Sequence, residues 1–449
     1  MNNKPAITTD SERRLGIVMT VNARYLREAE DDYFGFGVVG FVLAAAHALS
    51  ARGQFLGLVA YRREEATAVP RIHETRIAGF PAVEFTFNFA CDLKELQQGF
   101  RAAVNLILRS RQDAQTIAPT PIIYHQSNAL LHLTPPSIPF LITHHGPFAQ
   151  QIRTIFGDEF AARAFQGGQP KLYHLTAVQE RGLDILRRSP AAAALEMSRV
   201  QAEVLRTENI PEAKIHRAPP PLLAPVARPH NEVHSPYRSE LRPGALHVMS
   251  AAARIDPFKN FDYLISCVNE AHRRGAVGQL SLFVGTPADE QERRALFDKV
   301  VPGLKMNTVV APRMRHSQML DMFRKHAGFS VFVCSSLYET YGLTALEAML
   351  CGLATLVPND LTQIGIAEYV SVEDRFDIRR DGLTFKLIQY ASDGCACRRG
   401  LYQRERAINL TGPELFLQGF DLAIEDMLRT SSSAERRQPE YILEGAAST

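Results

Sequence analysis

Strand-sized apolar runs alternate with helix-sized amphipathic stretches twice over in this chain, on either side of a segment suited to neither. That segment, APPPLLAPVARPHNEVHSPYRSELRP (residues 218–243), is rich in proline and polar residues and has no apolar periodicity, the composition of a linker. Before it, strands are predicted at Leu15–Val21, Phe55–Tyr61, Ile122–Tyr124, Phe140–Thr143 and Lys171–Val178, with helices at Val38–Ala51 and Leu93–Arg109. After it, strands are predicted at Leu246–Met249, Leu280–Val284, Thr308–Val310, Ser330–Cys334 and Ala354–Val357, with helices at Phe261–Arg274, Gln318–Lys325 and Leu343–Leu350. Such alternation puts helices on both faces of a mostly parallel sheet, so each half reads as a doubly wound α/β domain. An amphipathic helix is predicted at Pro413–Leu428, and the tail from Thr430 reads as disordered.

A length of 449 residues supports two to three domains with full cores. With 46% hydrophobic and 22% charged residues the chain is globular in composition. Its net charge of +2 is too small for the broad positive field of a dedicated nucleic-acid binder, so a charged ligand must be met by local groups. The six cysteines (Cys91, Cys267, Cys334, Cys351, Cys395, Cys397) are scattered, several of them in apolar runs, and a reducing cytoplasm is expected. The longest nearly apolar run, Val38–Leu49, falls short of the ~20 residues that span a bilayer, and the first residues are polar; neither a membrane span nor a signal peptide is expected. Heavy use of Arg, Ala and Pro points to a bacterial source.

Two stretches carry chemistry. In SSLYETYGLTALEAMLCGLATLV a strand ends, a short loop bears Glu339, and a helix opens at Gly342, Leu343 and Thr344 and bears Glu347. In an open parallel sheet the loop beyond a strand's carboxyl end is where ligands bind. The free N–H groups of Leu343, Thr344 and Ala345 would suit a diphosphate, and carboxylates beside such a site suit hydroxyls. The alternative is two solvated glutamates, against which the surrounding glycine and small residues weigh. In HVMSAAARIDPFKNFDYLI, Arg254 and Lys259 lie on the loop between a strand and a helix, where two cations can close on one anion. A solvated pair of charges is the alternative; the position at a strand's carboxyl end favours the anion site.

With these residues in place, the second half resembles the donor domain of glycosyltransferase family 4 enzymes with the GT-B fold. The resemblance rests on E-x7-E at Glu339 and Glu347, on Gly342-Leu343, on R-x4-K at Arg254 and Lys259, and on LFVG at Leu282–Gly285. It implies two Rossmann-like domains facing a central cleft: residues 1–225 for the acceptor, 244–411 for the nucleotide-sugar donor, a helix over 412–429 crossing back to the first domain, and a disordered tail over 430–449. It further implies a retaining transfer in which Arg254 and Lys259 neutralise the diphosphate, Glu347 holds the ribose hydroxyls and Glu339 contacts the donor sugar. Backbone near Arg313 and Met314 would meet the base. Neither a metal nor a cofactor is expected, since no DxD-type pair is found and the CxC of Cys395 and Cys397 lacks further ligands.

In the first half FLITHHGPF resembles the family's T-x-H-G element, with His145 at the matching position, facing the cleft or merely structural. The run FGFGVVG, with Gly35 and Gly37, spells G-x-G-x-x-G but follows its strand by thirteen residues, which argues against a dinucleotide fingerprint. In the family a glycine loop here approaches the donor phosphate or the acceptor. The loop ahead of it is long and acidic, so Asp31, Asp32 and Tyr33 are candidates for a polar, amine-bearing acceptor, a solvated loop being the alternative. The expected activity is therefore hexosyl transfer from a nucleoside-diphosphate sugar to a small polar acceptor, compatible with secondary metabolism. A GT-B sugar phosphorylase and a non-catalytic nucleotide-sugar binder stand as alternatives.

Overall fold

The computed structural model describes residues 15–23, 26, 37–112, 120–165, 167–223 and 244–435. The candidates Asp31, Asp32, Tyr33 and Gly35 lie outside them, as do residues 224–243 of the linker. Each half forms one sheet. The first has eight strands: β1 (Leu15–Asn22), β2 (Phe55–Arg63), β3 (Arg71–Ile77), β4 (Phe80–Phe87), β5 (Thr120–His125), β6 (Phe140–Ile142), β7 (Ala192–Glu196) and β8 (Ile215–Arg217). Their order is β3-β4-β2-β1-β5-β6-β7-β8, parallel except where the exposed edge strand β3 runs against β4. The second sheet holds β9 (Leu246–Ala252), β10 (Val277–Val284), β11 (Thr308–Ala311), β12 (Ser330–Val333), β13 (Ala354–Pro358) and β14 (Arg375–Phe376), all parallel, in the order β11-β10-β9-β12-β13-β14.

Helices cover both faces of each sheet. In the first half these are α1 (Val38–Ala51), α2 (Leu93–Gln112), α3 (Ala149–Phe156), α4 (Asp158–Ala164), α5 (Gly168–Arg188) and α6 (Arg199–Thr207). In the second they are α7 (Phe261–Arg273), α8 (Glu290–Asp298), α9 (Pro302–Lys305), α10 (His316–His326), α11 (Leu343–Leu350), α12 (Gly382–Asp393) and α13 (Ala396–Leu410), followed by α14 (Pro413–Glu435). Helix α14 returns to the first half and packs on β7, β8 and α1. Its buried stripe of Phe416, Phe420, Ala423, Ile424 and Met427 meets Phe41 and Tyr124, each large side chain contributing about 1.5–3 kcal/mol on burial. One apolar cluster consequently runs from β1 through α1 and α14 into α11 of the second half.

The structure corrects the sequence reading at two places and adds strands it did not predict. The strand predicted at Lys171–Val178 lies inside α5, because Leu172, Thr176, Leu183 and Leu186 continue a helical stripe well past it; the period over a full helix overrides local strand propensity. The hairpin β3–β4 has no strong turn pair, and closes at Ala78 and Gly79, both with positive φ. Strand β7 was hidden by its composition, AAALE, which is buried throughout yet poor in β-branched residues. Helix α14 also extends to Glu435, beyond the predicted start of the tail; residues 436–449 lie outside the described set.

Buried neutral imidazoles make the fold sensitive to acid. His125 bonds Thr20 and Thr134, each at 2.9 Å, and His247 lies between Ser281 at 2.9 Å and Ser330 at 3.0 Å. Burial lowers the pKa of both, and of His145, from 6.5 to about 3. Below 6.5 the unfolded chain binds protons that the folded chain refuses, so stability is complete above that pH and is lost as pH falls toward 3. Each ring contributes at most ~1.4 kcal/mol per pH unit. The melting temperature is expected to fall steeply from about pH 6.5 to pH 5, with a shallower slope in His247→Gln; a pH-independent melting temperature over that window would contradict this account.

Candidate functional site

Strand order creates the site. Strands β9 and β12 are hydrogen-bonded neighbours, and from them the sheet is wound outward in opposite directions, so the loops after their carboxyl ends meet at a topological switch point. The β9 loop carries Arg254, Asp256 and Lys259, and the β12 loop carries Glu339. Lys259 Nζ lies 2.6 Å from Glu339 Oε2, which also accepts from Ser336 Oγ at 3.1 Å. Burial opposes the charge on Lys259, but Glu339 and Asp256 outweigh it and raise its pKa above the ordinary lysine value. Asp256 has a fully buried side chain 3.1 Å from Arg254 Nη2, without hydrogen-bonding geometry. Burial raises its pKa, against the pull of Arg254 and Lys259. The four residues form one cluster of two cations and two carboxylates.

The backbone around Glu339 is pinned on every side. Its N–H donates to Gln363 O at 2.9 Å, its carbonyl accepts from Gly365 N at 2.7 Å, and Ser335 Oγ donates to Lys259 O at 2.7 Å. The flanking residues reach the first half: Tyr338 OH donates to Gln151 Oε1 at 2.6 Å, and Thr340 Oγ1 to His145 O at 3.0 Å. The chain then turns through Gly342, at φ 90°, a left-handed conformation in which a side chain would meet Ile366. Helix α11 begins there, its first bond running from Leu346 N to Gly342 O, so the N–H groups of Leu343, Thr344 and Ala345 precede the ladder.

Glu347 has a separate setting on the second turn of α11. It is 6% exposed; Oε1 bonds His316 Nε2 at 2.8 Å, and Oε2 is buried without a partner among the described residues. The start of α1 lies directly over it. A Cβ at Gly40 would stand 3.4 Å from Glu347 Oε1, and one at Gly37 would stand 3.1 Å from Leu343 Cβ. Gly37 thus belongs to a close approach between the halves and not to a dinucleotide loop after β1. Nearby, Arg313 N donates to Gly285 O at 3.0 Å, fixing the β11 loop on the end of β10, and Met314 packs against the large apolar cluster.

His145 joins the site from the β6 loop. Its Nε2 bonds Gln126 Oε1 at 2.7 Å, its ring stands edge-on to Phe41 at 4.8 Å, and Nδ1 is buried without a partner among the described residues. At a pKa of about 3, set by burial and then by the neighbouring His144, the ring is neutral at physiological pH and works as a hydrogen-bonding group. Sequence reasoning missed Asp256, His316, Tyr338 and Thr340. Asp256 and Thr340 adjoin motif residues, but nothing along the chain links His316 to Glu347, thirty-one positions away. Among the described residues, no group of three or more His, Cys, Asp or Glu is placed to hold a metal, and no helix is long and apolar enough to cross a membrane.

Known proteins resemble this arrangement at the level of fold. No curated protein sequence matches the chain. Sucrose-phosphate synthase from Thermosynechococcus elongatus superposes with a TM-score of 0.63 at 17% identity, covering 94% of this chain and 100% of that one. The catalytic domain of starch synthase IV from Arabidopsis thaliana, bound to ADP and acarbose, gives 0.60 at 12% identity, covering 93% and 100%. The E. coli trehalose-6-phosphate structure bound with UDP-2-fluoro glucose gives 0.58 at 11% identity, covering 91% and 99%. Residues 247–386, the stretch bearing Arg254, Lys259, Glu339 and Glu347, match the family model described as glycosyl transferases group 1. The chain therefore has the GT-B fold of two parallel-sheet, Rossmann-like domains, and its second half is similar to the group 1 glycosyl transferases.

Proposed function

We propose that this chain is a retaining glycosyltransferase of family 4 type, a cytoplasmic enzyme that moves a sugar from a nucleoside-diphosphate sugar to a small acceptor without a metal. The observation that carries the reading is the cluster at the β9–β12 switch point: Lys259 on Glu339, Arg254 beside Asp256, and the opening amides of α11. Arg254, Lys259 and the N–H groups of Leu343 and Thr344 receive the diphosphate. Glu347 Oε2, buried and unpaired, accepts from a ribose hydroxyl, while His316 holds Oε1 and so sets the carboxylate's orientation. Glu339 contacts hydroxyls of the transferred sugar, and backbone near Arg313 and Met314 meets the base.

The difficult event is departure of the diphosphate as negative charge gathers on its bridging oxygen. Fixed cations and helix amides stabilise that charge without reorganising, as water would have to. The bond from the anomeric carbon to the diphosphate breaks, the acceptor oxygen bonds on the same face, and the acceptor proton passes to a departing phosphate oxygen. No covalent nucleophile takes part. Neutral His145 presents Nδ1 to a hydroxyl at the cleft and orients it. Two of the similar structures, one bound to ADP and one to UDP-2-fluoro glucose, are consistent with this class of donor.

A thermal-shift screen against nucleoside diphosphates, their sugar forms, NADPH and inorganic phosphate tests the reading. A ligand at 100 times its Kd adds ~2.7 kcal/mol, a readable shift. Stabilisation by one nucleoside diphosphate is expected; stabilisation by NADPH or phosphate alone would overturn the assignment.

Two substitutions localise the donor. Lys259→Ala should weaken nucleoside-diphosphate binding about 10- to 100-fold, the worth of a charge-assisted contact, and Glu339→Gln should lower kcat by about 100-fold while the protein remains folded. Calorimetry and initial rates read these effects, and wild-type values in both variants would reject the site.

His316 gives a sharper check. His316→Ala should weaken binding of the nucleoside diphosphate about tenfold and leave binding of its 2′,3′-dideoxy counterpart unchanged, since that molecule offers Glu347 no hydroxyl. An equal loss for both would show that His316 does not act through Glu347.

A further inference from the structure

A cavity of about 350 Å³ opens in the first domain, apart from the donor cluster, among the loop after β4, the turn after β5 and helix α5. Among the described residues its wall contains no carboxylate. It contains instead His132, His174 and Arg181, arranged around an apolar floor that includes Phe89. The rings of His132 and His174 lie 6.3 and 6.1 Å from that of Phe89. Arg181 makes no ion pair among the described residues, and after burial its charge is the second cause that lowers the pKa of His132. Burial and the nearby Arg181 keep His132 neutral, so the guanidinium supplies the positive charge of the wall and the imidazole a hydrogen bond, a pairing that an anion complements.

A buried chain of polar groups ends in the same wall. Glu196, at the end of β7 and fully buried, bonds His144 Nδ1 at 2.7 Å through Oε1. His144 Nε2 in turn bonds Asn128 Oδ1 at 3.2 Å. Asn128 is 9% exposed, and with Oδ1 committed to His144 its Nδ2 has no protein partner among the described residues beside the cavity. Helix α5 comes this close only because residue 182 is glycine, where a Cβ would stand 2.6 Å from Asn128 Oδ1. The relay holds a two-hydrogen donor among the basic groups, in a volume suited to a small ligand.

The position bears on the reaction. The cavity lies beyond the carboxyl ends of β4 and β5, the edge of a doubly wound sheet where ligands bind. Only the His144–His145 segment separates Asn128 from Thr340, the neighbour of Glu339. We propose that this cavity binds an oxyanion, the phosphate or carboxylate of a small molecule, and that this molecule is the acceptor, its charged end held by Arg181, His132 and Asn128. The acceptor clause rests on the transferase reading; the oxyanion site does not.

The test uses the full chain carrying Lys259→Ala, which weakens anion binding at the donor cluster, and titrates it calorimetrically with phenyl phosphate, benzoate and neutral benzyl alcohol. Phenyl phosphate or benzoate is expected to bind, and the stronger of the two names the preferred oxyanion; benzyl alcohol is not expected to bind. Adding Arg181→Ala, an exposed position whose loss leaves the core intact, should raise the Kd tenfold or more. Failure of both anions to bind, or equal binding with and without Arg181, overturns the site. In transfer assays across phosphorylated, carboxylated and neutral sugars, Arg181→Ala should raise the acceptor KM at least tenfold and leave the donor KM unchanged. Best turnover with a neutral acceptor, indifferent to Arg181, overturns the acceptor clause. Anion binding that depends on Arg181, together with a wild-type chain that binds no nucleoside diphosphate, would reject the transferase reading and the acceptor clause together, and support the oxyanion site.

Discussion

The ion pair between Lys259 and Glu339 is the contact on which the second domain's crevice depends. Its partners come from neighbouring strands, with side chains 22% and 18% exposed, dry enough for the attraction to matter and open enough for a ligand to reach it. A pair of this kind adds little net stability, because desolvation offsets most of the attraction, but removing one partner leaves an uncompensated charge. The pair therefore acts chiefly on geometry: it sets the β9 loop against the β12 loop and holds the lysine on the carboxylate of Glu339. The backbone ties from Glu339 to Gln363 and Gly365 keep the carboxylate in register with that helix.

The same loop couples the two domains. Tyr338 and Thr340, on either side of Glu339, bond Gln151 and the carbonyl of His145 in the first domain. Arg217 extends the contact, reaching Glu368 at 3.2 Å, while Phe258 and Tyr338 pack into an apolar cluster with α3 and α4. The packing of the two domains and the placing of Glu339 are in this way properties of one segment. The immediate neighbours of Glu339 thus make a short path between the first domain and that carboxylate.

Much of this was legible along the chain because the relevant forces are local. The alternation of periods placed most strands of the second sheet within a few residues, and α1 and α11 fall where their apolar and small residues predicted. Where a helical stripe and local strand propensity disagreed, as at Lys171–Val178, the longer pattern prevailed. Where burial came from alanine, as in β7, no signal existed, since a buried strand of small residues lacks the branched side chains that mark strands.

By itself the sequence determined that there are two α/β halves, that cations follow one strand and carboxylates another, and that a helix opens at a glycine with its amides free. These depend on spacings of a few residues, over which chain geometry leaves little choice. Only the tertiary structure decided that β9 and β12 are neighbours, which brings Lys259 to Glu339 across eighty positions. It alone placed His316 on Glu347, Gly40 above that carboxylate, and the Glu196–His144–Asn128 relay behind the cavity of the first domain. Such contacts follow from strand order and domain packing, which are set by the burial of whole faces and leave no trace in the spacing of the residues they join.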